Sequence, residues 1–173
     1  RVDHLAKSYQ DFIDKYCAKD KNVVLKHMAD YAACFAETFR PDSCERGVPS
    51  DYSMERMNVI IFGLKNTTVI PYVLYVAKEI QNPDSRNEIF AVLESYIMRR
   101  MIVRATTKNS NNLFASLILN NVLDAATLKE RLSRNGDVTT YFPDDSELLL
   151  GFKESKLINL QSKGVLYMME SAI

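Results

Sequence analysis

Glycine and proline are scarce, five of each in 173 residues. That argues against a turn-rich sandwich or barrel and, with apolar residues recurring mostly at helical spacing, points to an all-α domain. Net charge is also missing. Lysine plus arginine and aspartate plus glutamate both number 22, so no global field recruits nucleic acid or an anionic membrane, and only a local patch would do so. The three cysteines, Cys17, Cys34 and Cys44, are odd in number and form no C-x-x-C pair. This disfavours a disulfide framework and a structural zinc site, and fits a reducing cytoplasm. No apolar run reaches the roughly 18 residues of a membrane-spanning helix, and Arg1-Val2-Asp3 does not open like a signal peptide. The chain starts without Met and ends in what reads as an unfinished helix, so the expectation is one helical domain over 1–173, excised from a longer protein.

The periodicity predicts eight to nine helices with little or no sheet. Leu5, Tyr9, Phe12, Ile13 and Tyr16 line a first helix; Val24, Met28, Tyr31, Phe35 and Phe39 line a second, capped by Asn22, and the two read as an αα-hairpin. Pro41, Gly47 and Pro49 mark a loop, after which Asp51 or Ser53 caps a helix over Met54 to Leu64. Val69 to Ile80 suits strand or helix, and is read as helix with Thr68 as cap and Pro71 in the first turn. Asn82-Pro83 opens the longest helix, to about Val103. Asn111 or Asn112 opens another through Leu119; Asp124 caps one carrying Leu128 and Leu132 inward, stopped at Asn135-Gly136. Asp137 to Phe142 is extended at most, Pro143-Asp144-Asp145 opens a short helix, and a last one from about Glu154 carries Leu157, Leu160, Met168 and Met169.

The chemistry-bearing residues concentrate after Glu94. On a helical wheel Ile89, Val92, Leu93, Tyr96, Ile97 and Val103 share one arc, with Arg100 near its centre, Arg104 on it and Arg99 at its edge. A buried guanidinium keeps its charge and needs a carboxylate or several carbonyls. Glu94 lies on the opposite side; Asp30, Glu37, Glu55, Glu130 and Glu170 are unranked candidates, and the carbonyls of the Thr106 to Asn109 turn are the local option. The architectural reading has the arginines stapling that turn to the longest helix. The functional reading has Arg99, Arg104 and Lys108 touching phosphate, with Asn109, Asn111 and Asn112 adding hydrogen bonds, although no aromatic residue stands there to stack on bases.

Elsewhere the signals are weaker. His27, Asp30 and Cys34 share a helix face at metal-ligand spacing but have no evident fourth ligand, and Asp144, Asp145 and Glu147 are explained by a helix dipole. No phosphate-cradling glycine motif and no catalytic triad context occurs, so no catalytic residue is assigned.

The stretch LESYIMRRMIVRATTKNSNNLFASLI resembles the end of the helical region in GmrSD-type, modification-dependent (type IV) restriction proteins. The match falls on Glu94, Tyr96, Arg99, Arg100, Thr107, Asn112 and Phe114. A second stretch, YFPDDSELLLGF followed by KGVLYMMESAI, is similar to that family's lead into its nuclease domain, with Tyr141-Phe142 where Trp is usual and Leu148 where Phe is. The likeness runs from about Thr38 onward. It implies Glu94, Tyr96, Arg100, Thr107 and Phe114 as structural residues. It also implies a parent with a nucleotide-hydrolysing ParB-like domain before this region and an HNH-like nuclease after it, using nucleotide and divalent metal. Neither the D-G-Q-Q-R motif of the first nor the nuclease motif of the second is in this sequence, so no cofactor is assigned to the chain itself. The implied partners are the other domains of the same polypeptide, with DNA contact and homodimerisation left open. The alternative is a stand-alone module that docks a helical protein partner on its tyrosine-rich and methionine-rich faces.

Overall fold

Helix-favouring periodicity and well-placed caps give nine α-helices and no strand among the described residues, which in this computed structural model are 2–16, 21–42, 49, 51–133 and 137–171. The architecture is an all-α, multi-helix bundle. The chain divides into two compact units, 1–37 and 38–173.

The smaller unit holds α1 (Val2–Tyr16) and most of α2 (Lys21–Thr38). The Tyr9 hydroxyl lies 3.7 Å from the Met28 sulfur, linking the two helices as the hairpin reading expects. Ile13 is buried, but Tyr9, Phe12, Met28 and Phe35 are exposed, so the two apolar stripes are only partly covered. Asn22 falls inside α2 instead of capping it. The side chains of Leu5 and Tyr16, with Cys17, Cys44 and the Asn135-Gly136 stop, lie outside the described residues.

In the larger unit Ser53 caps α3 (Met54–Asn58), and its hydroxyl accepts from the Arg56 N–H. The helix expected to run on to Leu64 changes character: 59–63 form a π-helical turn, closed by Lys65 in the left-handed region at φ 57°. A 3₁₀ turn, Thr67–Val69, then leads into α4 (Ile70–Glu79). The helical reading of this ambiguous segment is right, but Thr68 is not its cap; Pro71 does sit in the first turn, where a missing N–H costs nothing. α5 (Pro83–Ile102) starts as read, the Asn82 side chain accepting from the Asp84 and Ser85 amides.

The single-arc reading of α5 needs correction. Ile89, Leu93, Tyr96, Ile97 and Arg100 are buried on one side, and Phe90, Glu94, Met98 and Ile102 on the other. Helices α3, α4, α7 (Ala125–Ser133) and α8 (Asp145–Glu154) all pack on α5, so it is the core of the unit, wrapped nearly all round. α7 delivers fully buried Leu128 and Leu132; by the usual cost of a large core truncation, each is worth about 2–5 kcal/mol. Asp124 caps α7 through the Thr127 N–H, as expected. α6 (Ser110–Leu119) packs against α4, where Phe114 stacks on Tyr72 at 6.3 Å.

Asp144 and Glu147 form a reciprocal capping box at the start of α8. The expected start at Glu154 for the last helix is five residues early: Glu154 ends α8, and α9 is Asn159–Glu170. Met168 of α9 is buried while Leu160 and Met169 are exposed. At Gly164 α9 comes so close to Leu64 that a Cβ would lie 2.1 Å from a Leu64 methyl, so any side chain there would force Leu64 to shift.

Candidate functional site

The arginines of α5 divide according to what they reach. Arg100, 7% exposed, is held by three carbonyls. Its guanidinium donates to Tyr141 O at 2.8 Å, to Thr139 O at 2.7 Å and to Thr106 O, and it lies between the rings of Tyr96 and Tyr141 at 5.3 and 5.6 Å. None of the five candidate carboxylates pairs with it; the local-carbonyl option holds, extended to the 139–141 turn. Arg99, expected in an exposed basic patch, is tied down instead. It donates to Asp145 Oδ1 at 2.6 Å and Pro143 O at 3.1 Å, over the Phe142 ring at 5.7 Å.

Arg104 and Lys108 are exposed and make no ion pair among the described residues. Arg104 sits just past α5 with φ 54°, in a Schellman closure: Ala105 N–H donates to Arg100 O and Arg104 N–H to Met101 O. Asn109, not Asn111 or Asn112, precedes α6, in the left-handed region and without a side-chain cap of the first turn. Its amide donates to Thr139 Oγ1 at 3.0 Å, so that side chain is spent on the fold, while Asn111 and Asn112 are exposed. Thr139 in turn donates to Asp137, and these two hydrogen bonds, through its backbone N–H and its hydroxyl, hold the Asp137 carboxyl below the usual range. Thr107 is exposed at its side chain, and its carbonyl accepts from Ser110 N–H.

Sequence reasoning missed the partner of Glu94. Glu94, 8% exposed, receives a bidentate pair from Arg56, 3% exposed: Nε to Oε2 and Nη2 to Oε1, both 2.6 Å. Arg56 also donates to Pro49 O, Ser171 Oγ and Met168 O, which uses all five of its N–H groups, and its guanidinium lies over Tyr52 at 5.4 Å. The hydrogen-bonded carboxylate raises the Arg56 pKa against the opposing effect of burial. The available signal was compositional: one charged residue each in two otherwise apolar helix faces.

The tyrosines complete the polar interior. Tyr72 donates to Val122 O at 2.7 Å and Tyr96 to Thr140 O at 2.9 Å. Burial pushes both phenols up, Tyr96 to about 12 against the opposing charge of Arg100. A raised phenol pKa stabilises the fold below pH 10, and that contribution is lost as pH climbs from 10 through about 12. Alkaline melting curves should therefore fall by up to about 1.4 kcal/mol per pH unit for each tyrosine in that window. Tyr96→Phe should flatten the slope, and an unchanged slope would count against this assignment.

Among the described residues no three His, Cys, Asp or Glu side chains form a group able to hold a metal, and none of the helices is long and apolar enough to cross a membrane. His27, Asp30 and Cys34 do not assemble into a ligand set. Asp144 and Glu147 are engaged with each other's backbone, and Asp145 with Arg99. Compared with protein-family models, curated proteins and solved structures, the chain matches none.

Proposed function

We propose that this chain is the non-catalytic helical region of a modification-dependent DNA restriction protein, a cytoplasmic phage-defence enzyme, where it joins and positions a nucleotide-hydrolysing domain and a nuclease domain. One observation carries the reading. The two stretches that bear the family resemblance dock on each other through their marker residues: Arg99 on Asp145, Arg100 on Tyr141 O, and Tyr96 against Phe142 at 5.7 Å between ring centres. Glu94, Tyr96, Arg100 and Phe114 are all buried. A motif pair that specifies an internal joint, and offers no nucleophile or acid–base pair, suits a region whose work is mechanical.

The gene's full reading frame tests this directly. A D-G-Q-Q-R motif before the region and a His-containing nuclease motif after it are expected; a frame with neither overturns the proposal. DNA contact, the finer part of the reading, now rests on Arg104 and Lys108. If they touch phosphates, Arg104→Glu with Lys108→Glu should flatten the salt dependence of DNA affinity by about 2 in log–log slope. An unaltered titration removes DNA from the account. A second reading, a protein-docking module, is favoured by the exposed apolar side chains on α8 and α9, among them Leu149, Leu150, Phe152, Leu166 and Met169.

A further inference from the structure

A cavity of about 380 Å³ lies where the 64–68 turn, the end of α5, the start of α6 and the start of α9 meet. Among the described residues its lining contains three cations, Lys65, Arg100 and Arg104, and no carboxylate. Arg100 makes no ion pair among the described residues, its three hydrogen bonds going to carbonyls. The positive end of α6 faces the same space through Ser110 and Thr107. Ser110 is only 8% exposed, yet its hydroxyl has no hydrogen-bond partner among the described residues. Since no buried side-chain polar atom among the described residues lacks a partner, solvent reaches this hydroxyl, which is free to donate to a ligand on the cavity wall.

The two exposed cations share an unusual backbone state. Lys65 and Arg104 each close a helix in the left-handed region, at φ 57° and 54°, a position where glycine is the ordinary choice. Of the four described non-glycine residues with positive φ, these two are the charged ones, and both line this cavity. Below them the walls turn apolar and aromatic with Leu64, Ile97, Met101 and Phe114.

We propose that this cavity binds a phosphomonoester, its phosphate held by Lys65, Arg104 and the Ser110 hydroxyl and its apolar or aromatic body resting on Ile97, Met101 and Phe114. Two exposed cations match the nearly doubly negative charge of a phosphomonoester, and its oxygens can accept from the Ser110 hydroxyl. The inference goes beyond the restriction reading and does not depend on it.

The test is titration of the chain, followed through its backbone amide resonances, with inorganic phosphate, phenyl phosphate, and a 5′-phosphorylated trinucleotide beside its unphosphorylated twin. Shifts centred on Lys65, Arg104 and Ser110, with phenyl phosphate binding more tightly than phosphate, support a free small molecule as ligand. A preference for the 5′-phosphorylated trinucleotide over both its twin and phenyl phosphate supports a nucleic-acid end as the source of the same group. Lys65→Gly and Arg104→Gly keep the backbone each site demands, so they should melt no lower than the parent and still bind about ten-fold more weakly or worse. Ser110→Ala should weaken binding without altering the fold. No shift with any probe, or equal affinity in the double glycine variant, overturns the proposal.

Discussion

Arg56→Ala should cost about 3–5 kcal/mol, the largest loss expected from any single change outside the apolar core. The substitution strands the Glu94 carboxylate, 8% exposed, inside the bundle and removes the donors that satisfy Pro49 O and Ser171 Oγ. Its value lies in what removal exposes more than in the attraction of the pair. Replacing both partners by apolar residues of like volume, Arg56→Met with Glu94→Leu, should therefore recover most of the loss. Chemical denaturation of the two single variants and the double one checks this; additive losses would show that the pair is not energetically coupled.

Arg100→Ala should cost about 3 kcal/mol, roughly 6–12 °C in melting temperature, by leaving the Thr106, Thr139 and Tyr141 carbonyls without their donor. Arg100→Lys should rescue little, because an ammonium is too compact to replace a planar fork reaching two separate turns. Arg99→Ala provides the contrast. Its partner Asp145 is 86% exposed at the side chain, so the pair is screened by water and contributes at most about 1 kcal/mol. Equal shifts for Arg99→Ala and Arg100→Ala in thermal melts would refute the distinction.

What could be read from the sequence was local. Asn82-Pro83, Asp124 and Asp144 announce helix starts through chemistry completed within three residues, and all three hold. Arg100 was legible as an interior residue because it interrupts an apolar arc, and its carbonyl partners were reachable in part within its own turn. The Arg56–Glu94 pair was not, since 38 residues separate its members and nothing in either helix names the other. For the same reason Arg99 read as free: its partner belongs to α8. The ends of helices failed where their usual punctuation is absent. Lys65 and Arg104 occupy positions that glycine normally marks, and those two concealed stops sit on the rim of the candidate cavity.

The Arg56 cluster also ties together segments far apart in the chain. Its donors find Pro49 seven residues back, Glu94 38 residues on and Ser171 115 residues on, so the same guanidinium closes short, medium and very long loops. Entropy favours closing the short loops first. The pair that joins α3 to α5 is covered by the end of α9 through Met168 O and Ser171 Oγ, so the burial of this charge depends on the most distant segment of the chain.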